Sequence, residues 1–168
     1  MTSKLFFAII CSILCFFSCK KSEPELTFPY NFSCIINENS FYLDYDSSFV
    51  SLSGMSTSFN ERTKTLKMNG YSYFSGNDFH IEIKNFSEKG ILNSDSIVVL
   101  FKDETALNPS VYDYELDRMK SIRFEILDYD NIKNEAKGTF NFTLKPIIDT
   151  RGLKPKVVSF GKFRFKFR

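Results

Sequence analysis

The stretch that decides the fold is Ala136-Lys137-Gly138-Thr139-Phe140-Asn141-Phe142-Thr143-Leu144. Apolar or small residues occupy every second position, and polar residues occupy the positions between them. This period of two is the pattern of a β-strand that buries one face and exposes the other. A helix would instead need apolar residues at intervals of three and four. The stretch therefore predicts a half-buried strand.

The same alternation recurs along most of the chain, while helix signals are nearly absent apart from one turn at 104–107. About nine short strands separated by polar turns are typical of antiparallel sandwiches and barrels. We therefore predict one all-β domain over 28–168, either a β-sandwich or a partly closed barrel of about 8–9 strands. The predicted strands include 32–36, 40–43, 50–54, 63–68, 79–83, 96–101, 111–114, 122–126 and 156–167.

Several local features refine this prediction. Asn37 begins a tight turn between the first two strands, and 128–134 links the strand before it to the strand that contains Phe140. The run 96–101 is rich in β-branched residues without alternation, which favours a strand that is buried on both faces or bulged. The alternation changes phase at Gly161, which predicts a bulge there.

An apolar leader precedes the domain. After Lys4 the run 5–17 is apolar except for Ser12, and the chain becomes polar from Lys20 onward. As a helix this run would cover about 20 Å at ~1.5 Å per residue, less than the ~30 Å hydrocarbon core of a bilayer. It therefore predicts the hydrophobic segment of a secretory signal peptide rather than a membrane span.

Ser18-Cys19 at the end of the leader resembles the lipobox of bacterial lipoproteins, in which a small residue precedes the acylated cysteine. Phe16 and Phe17 replace the usual leucine and small residue, a departure that is common in Bacteroidota lipoproteins. The resemblance implies that 1–18 is a signal peptide, that Cys19 joins the chain to membrane lipid, and that 19–27 is a tether. It also implies a position in the cell envelope, at the outer membrane. Two or three acyl chains anchor firmly, whereas a single chain is marginal.

A second resemblance lies in the domain itself. Gly138-Thr139-Phe140, a loop with Arg151-Gly152, and a last strand with Gly161-Lys162-Phe163 resemble the C-terminal part of small all-β Bacteroidota lipoproteins. Phe32-Ser33-Cys34 followed by Asn37 is similar to an early strand and turn of that family. Its members are largely uncharacterised, so the resemblance implies fold and location without an activity.

A basic face is predicted on the last strand. Lys162, Arg164, Lys166 and Arg168 share one side of that strand, opposite a row of phenylalanines. Such a face suits anionic lipid headgroups, lipopolysaccharide or an acidic glycan. The alternative is an ordinary charged outer face, or an edge strand guarded against pairing. The formal net charge of +2 excludes a strongly basic nucleic-acid binder.

The chain offers few residues that could act as nucleophiles, general bases or metal ligands. His80 is the single histidine of the chain, so a histidine-based triad or a multi-histidine metal site is excluded within one chain. We expect His80 to be an exposed strand residue and Cys34 to be a small core residue. No cofactor and no metal site are predicted.

Three weaker candidates remain. The acidic turns Asp44-Tyr45-Asp46 and Asp128-Tyr129-Asp130-Asn131 lack the spacing of a calcium loop, which favours solvated turns. Tyr71, Tyr73 and Phe74 form an aromatic region that suits either sugar stacking or core packing. Asp95-Ser96-Ile97 resembles the O-glycosylation acceptor of Bacteroidota proteins.

These observations favour a lipid-anchored envelope protein with a non-catalytic binding or structural role. One alternative is a small hydrolase with paired carboxylates, which requires two convergent Asp or Glu side chains in a pocket. The other is a lipocalin-like carrier, which requires an internal cavity lined by Phe and Ile.

Overall fold

The part of the chain that the structure describes is built mainly of β-strands, as predicted. The computed structural model describes residues 31–43, 53–72, 76–86, 89–103, 112–148 and 152–167. Within these ranges the helical structure is one 3₁₀ turn, Ser94–Ser96. The strands are β1 Phe32–Ile36, β2 Asn39–Leu43, β3 Ser53–Asn60, β4 Thr65–Ser72, β5 Asn77–Ile83, β6 Gly90–Ile91, β7 Ile97–Lys102, β8 Tyr114–Leu116, β9 Arg123–Asp130, β10 Glu135–Pro146 and β11 Lys156–Lys166.

The strands form one antiparallel sheet that curls into a nearly closed barrel. Its order is β2–β1–β11–β10–β8–β7–β5–β4–β3. One edge of β10 pairs first with β9 and further along with β8, and β6 pairs with β9. The ends of the order meet, because Leu43 of β2 occupies the space that a Cβ at Gly70 of β4 would fill. The Thr57 hydroxyl of β3 also donates to the Lys166 carbonyl of β11.

The interior is packed with phenylalanine rings. The Phe140 ring centroid lies 5.0 Å from that of Phe32 and 5.6 Å from that of Phe124. From Phe32 the contacts continue to Phe79 at 5.3 Å, and from Phe79 to Phe101 at 4.8 Å. These separations lie in the ~4.5–7 Å range that favours aromatic pairs. Inward-facing residues from strands around the barrel therefore form one continuous core.

A second aromatic cluster packs near the hairpin turns. The Phe59 ring centroid lies 5.7 Å from that of Phe86 and 5.2 Å from that of Phe167. Tyr129 packs on Phe86 at 5.3 Å. Phe86 and Phe167 are buried, so residues outside the long strands extend the core.

The bulge predicted at Gly161 is confirmed. The register between β10 and β11 shifts between Gly161 and Val158. Phe160 has a φ of 52°, and its backbone N–H donates to Asn141 Oδ1 at 2.8 Å. Phe160 is 76% exposed, whereas Gly161 faces inward, where a Cβ would overlap the Phe140 ring. Glycine at 161 therefore permits the close approach of β11 to β10.

Both predicted turns are confirmed. Asn37 and Glu38 join β1 to β2 with φ values of 45° and 74°, as the two-residue hairpin turn requires. Asp130 begins the β9–β10 turn, where its Oδ1 accepts hydrogen bonds from the backbone N–H groups of Ile132 and Lys133, each at 3.0 Å. The predicted link between these two strands is thus a hairpin.

The prediction for 96–101 was wrong. This run forms β7 with regular alternation, since Ile97, Val99 and Phe101 are buried and the residues between them are half-buried. Its pairing with β5 has no register shift, so there is no bulge. Aliphatic side chains on both faces hide the alternation in the sequence, although only one face packs in the core.

Other boundaries also differ from the predictions. β3 reaches Asn60, well beyond the predicted 50–54, and the predicted strand at 63–68 begins at Thr65. β8 begins at Tyr114, the last residue of the predicted strand at 111–114. Positions 50–52, 111 and the predicted helical turn at 104–107 lie outside the described residues. In the described ranges, no helix has the length and apolar character needed to cross a membrane.

Candidate functional site

The predicted basic face lies on the outside of β11. Lys162, Arg164 and Lys166 alternate with buried phenylalanines, and Arg168 lies outside the described residues. We define the basic face by the three described residues Lys162, Arg164 and Lys166. Its register partners on β10 include Lys137 opposite Arg164 and Thr139 opposite Lys162.

A buried carboxylate offsets part of the charge of the basic face. Arg164 Nε donates to Glu135 Oε2 at 2.8 Å, and Lys137 Nζ lies 3.0 Å from Glu135 Oε1. Burial raises the pKa of Glu135, but the hydrogen bonds from Arg164 and Lys137 outweigh it and hold that pKa below its ordinary value. The charge of Arg164 is therefore directed at least partly toward the protein itself.

A groove lies on the outer face of β3, β4 and β5. The register places two rows across these strands, Gly54–Tyr71–Asp78 and Ser56–Asn69–His80. We define the tyrosine groove by Gly54, Ser56, Asn69, Tyr71, Asp78 and Tyr112, which line a concave surface of ≈ 480 Å³. Tyr71 is 43% exposed, so much of its ring is open to solvent at this surface.

His80 holds the Asn69 side chain beside the groove. Their Nδ1 and Oδ1 atoms lie 2.6 Å apart. Because an amide oxygen can only accept, the protonated Nδ1 of His80 donates, and the Asn69 amide NH₂ is left to donate elsewhere. Burial lowers the pKa of His80, with a smaller opposing effect from the Glu82 carboxylate. His80 is therefore neutral near pH ~7.

Asp78 and Tyr112 share the polar end of the groove. Burial raises the pKa of Asp78, and Lys102, whose Nζ lies 3.9 Å from Oδ2, offsets this only in part. The pKa of the Tyr112 hydroxyl is raised, mainly by burial and to a smaller extent by the negative charge of Asp78. The hydroxyl therefore stays protonated. Among the described lining residues, Asp78 is the one charged side chain.

A second concave surface lies on the outer side of β1 and β11. It has a volume of ≈ 670 Å³ and is lined by Ile35, Val157 and Phe160 among others. Val157 is 56% exposed and Phe160 is 76% exposed, so this surface is apolar. It results from the bulge that turns Phe160 outward.

The remaining predicted residues have structural surroundings. Cys34 is 4% exposed in the core, and burial raises the pKa of its thiol, so the prediction of a core residue is confirmed. His80 lies on the outer face of β5 as predicted, although it is half-buried rather than exposed. Asp95 and Ser96 lie in the 3₁₀ turn, where Arg118 Nη1 approaches Asp95 Oδ1 at 3.5 Å.

The described acidic turn is held by local contacts. Asp128 Oδ1 lies 2.9 Å from Lys89 Nζ, and Asp130 closes the β9–β10 turn. In the ranges that the structure covers, no group of three or more His, Cys, Asp or Glu could hold a metal ion. The turn at 44–46, the aromatic residues Tyr73 and Phe74, and the proposed lipidation site Cys19 lie outside the described residues.

Sequence reasoning found one member of the tyrosine groove and missed the others. Tyr71 was identified as part of an aromatic region, whereas Asn69, Asp78 and Tyr112 were not linked to it. Outward polar and aromatic positions on alternating strands are the available signal. Linking them requires the strand register, because Tyr112 is distant from Tyr71 in sequence.

Comparisons with known proteins gave no match. No protein-family model matches the chain, and no curated protein or solved structure is significantly similar to it.

Proposed function

We propose that the chain is a lipid-anchored cell-envelope protein with a non-catalytic binding role, held at the outer membrane through acylated Cys19. The lipid anchor is supported by the apolar run 5–17 and by Ser18-Cys19 at its end. Acylation at Cys19 would place the predicted tether 19–27 between the membrane and the domain, whose first strand begins at Phe32.

The binding role is carried by one observation, the tyrosine groove on the outer face of β3–β5. It combines two tyrosines with Asn69, Ser56 and a carboxylate at a concave surface of ≈ 480 Å³. Ligand sites have this makeup, since apolar rings supply contact area and a few polar groups fix orientation. Tyr71 is 43% exposed at this surface, so its ring is accessible to a ligand.

The packing of the barrel favours this role over that of a lipocalin-like carrier. A carrier needs interior volume, and here Phe32, Phe79, Phe101, Phe124 and Phe140 contact one another across the interior. Because these rings contact one another, they fill the interior space that a ligand would otherwise occupy. The exposed groove is therefore the better binding surface.

The chemistry of the groove favours binding over hydrolysis. A carboxylate-dependent glycoside hydrolase uses two carboxyl groups that flank the scissile bond. Asp78 is the single carboxylate among the described residues that line the tyrosine groove. The Glu135 carboxylate lies elsewhere, on β10, where it is bound by Arg164 and Lys137.

Metabolic labelling tests the anchor. The full chain is expressed in a bacterium with an outer membrane and labelled with palmitate, beside Cys19→Ala and, as a matched control, Cys15→Ala. We expect the wild type and Cys15→Ala to carry the label and to remain in the membrane fraction. We expect Cys19→Ala to lose the label and to leave the membrane fraction. An unlabelled wild type, or a labelled Cys19→Ala chain, would contradict the anchor.

A cleavage assay separates binding from hydrolysis. The full chain is incubated with the neutral hexaoses cellohexaose, xylohexaose, mannohexaose and maltohexaose, and the products are separated by chromatography. We expect intact hexaoses. The matched control is Glu115→Gln, because the Glu115 carboxylate of β8 pairs with Lys145 and does not line the groove. Cleavage by the wild type that is lost in Asp78→Asn and retained in Glu115→Gln would establish the hydrolase alternative instead.

A further inference from the structure

We infer that the tyrosine groove binds a neutral oligosaccharide. This ligand class rests on the binding role proposed above and gives it a chemical identity. Four properties of the groove lead to it: its rings, its polar groups, its charge and its open floor.

The rings suit a sugar face. Tyr71 of β4 and Tyr112 before β8 both line the groove, and Tyr71 is 43% exposed. The face of a pyranose ring that carries axial hydrogens is apolar and packs on aromatic rings. Tyrosine adds a hydroxyl that can bond to the rim of the same sugar. The exposed Tyr71 and the half-buried Tyr112, beside polar groups, therefore match a ligand that has both apolar faces and hydroxyl edges.

The polar groups match hydroxyl groups. Asn69 has its Oδ1 occupied by His80 at 2.6 Å, which directs its amide NH₂ as a donor. Asp78 supplies carboxylate oxygens, which accept hydrogen bonds from adjacent hydroxyls, and Ser56 can donate or accept. Sugar hydroxyls both donate and accept, so they can satisfy all three side chains. His80 acts here as a positioning residue because it fixes the Asn69 amide.

The charge of the groove disfavours an acidic sugar. Asp78 is the only charged residue in the described lining, and Lys102 beside it lies 3.9 Å away as its ion-pair partner. An anionic sugar would meet a negative charge with no cation of the lining to bind it. The tyrosine groove thus differs in preference from the basic face, and the two surfaces can be told apart by ligand charge.

The floor of the groove is open at Gly54. A Cβ built at this position meets no atom of the described residues within 4 Å. Gly54 therefore leaves space that a ligand ring can occupy, and a larger side chain there would fill the groove without disturbing the core. This provides a variant that blocks the site and keeps every contact residue.

A binding panel tests the inference. The full chain, purified in a detergent without a sugar headgroup, is titrated calorimetrically with cellohexaose, xylohexaose, mannohexaose and maltohexaose, and with hexagalacturonate as the acidic counterpart. We expect binding of at least one neutral hexaose and no binding of hexagalacturonate. No binding of any neutral hexaose, or preferential binding of hexagalacturonate, would overturn the inference.

Variants locate the site. Tyr112→Ala and Gly54→Val should each weaken binding by about tenfold or more, a loss of ~1.4 kcal/mol. Phe160→Ala, which removes an exposed ring from another surface, should leave binding unchanged. Melting temperatures close to that of the wild type show that the variants fold. Unchanged binding in both groove variants, or loss in Phe160→Ala, would place the ligand elsewhere and overturn the inference.

His80→Ala has a readout of its own. If His80 only positions Asn69, then Asn69→Ala weakens binding in the wild type but has little further effect in the His80→Ala background. The palmitate experiment is independent of all these titrations. A labelled chain that binds no hexaose removes the sugar inference and leaves the anchor, whereas an unlabelled chain that binds removes the anchor and leaves the groove.

Discussion

The outer faces of β10–β11 and of β3–β5 belong to the same barrel and differ in how their polar groups are used. On β10–β11, Glu135 is 6% exposed and is bound by Arg164 and Lys137. On β3–β5, Asn69 and His80 bond to each other, and Tyr71 remains 43% exposed beside Asp78. The first face satisfies part of its charge within the protein, whereas the second presents rings and hydrogen-bonding groups at a concave surface.

The difference shows how a neighbouring strand changes the meaning of a pattern. Lys162, Arg164 and Lys166 read as an anionic-ligand site when β11 is considered alone. Pairing with β10 brings Glu135 within hydrogen-bond distance of Arg164, so one of the three cations is paired within the protein. The tyrosine groove shows the opposite case. Its residues do not indicate a site on any single strand, and only the strand register brings them together at one surface.

The largest effect should come from the core beneath both faces. Phe140→Ala removes a ring that is 0% exposed and contacts Phe32 and Phe124, and we expect a loss of about 3–5 kcal/mol in the free energy of unfolding. Phe160→Ala is the matched control, with a change within about 0.5 kcal/mol because its ring is 76% exposed. Denaturant unfolding measures both. Equal losses in the two variants would contradict the account of the barrel core.

A smaller effect separates two glycines. Gly161→Ala places a Cβ against the Phe140 ring and carbonyl oxygen, so we expect destabilisation by about 1–3 kcal/mol. Gly54→Ala lies in open space and should change the free energy of unfolding by less than about 0.5 kcal/mol. Thermal or denaturant unfolding of the pair decides this. If Gly54→Ala proved the more damaging, the floor of the tyrosine groove would not be open as described.

The pairing on β10–β11 can be broken directly. Glu135→Gln removes the one negative charge that Arg164 and Lys137 share, which leaves one more uncompensated positive charge on this face. The affinity of the full chain for heparin should therefore rise by about fivefold, at ~1 kcal/mol for one added charge near an anionic surface. Glu38→Gln makes the same change in net charge on an exposed turn and should have a smaller effect. Salt-dependent elution from heparin reports the difference. Equal affinities in the two variants would show that Glu135 does not restrain the basic face.

Acid sensitivity provides a second readout of Glu135. Its folded pKa lies below the ordinary value of 4.5, so the carboxylate contributes stability above that pH. This contribution is lost as the pH falls through the folded pKa. The free energy of unfolding of Glu135→Gln should therefore fall less steeply below pH ~4.5 than that of the wild type. If the free energy of unfolding fell equally steeply below pH ~4.5 in the variant and the wild type, the role of the Arg164 and Lys137 contacts would be contradicted.

The smallest effect concerns His80, whose NMR signal is unambiguous because the chain has one histidine. Burial lowers its pKa below 6.5, with Glu82 and Lys67 acting in opposite directions. The unfolded state then binds the proton first, so stability is lost as the pH falls from above 6.5 through the folded pKa. A titration midpoint below 6.5 in the folded chain is expected. A midpoint at or above 6.5 would contradict the partial burial of His80 on β5.

Much of the fold could be predicted because its determinants are local. The alternation in 136–144, the turn at Asn37 and the phase change at Gly161 each depend on neighbours within a few residues. The run 96–101 was misread for the same reason, since Val98 and Leu100 face outward against partly covering neighbours that the sequence does not show. Whether the sheet closes was also open, because closure depends on Leu43 meeting Gly70 and on Thr57 meeting Lys166.

The candidate site was less predictable than the fold. Tyr71 was recognisable as an aromatic residue between two glycines, but its partners depend on register. Asp78 lies opposite Tyr71 and Asn69 opposite His80 only because β4 and β5 pair as they do. Tyr112 joins them from the other side of β7, after a long excursion of the chain. Burial-dependent properties, such as the raised pKa of Asp78, follow only from that arrangement.

The most direct test of the central claim is a chemical-shift map of the full chain during titration with the neutral hexaoses. The claim is that ligand binds on the outer tyrosine groove of a filled barrel. We predict shifts of the Tyr71 and Tyr112 rings and of the Asn69 side-chain amide, with the buried Ile81 and Val99 methyl groups unchanged. Shifts concentrated at those interior methyl groups, or no shift with any hexaose, would contradict the claim.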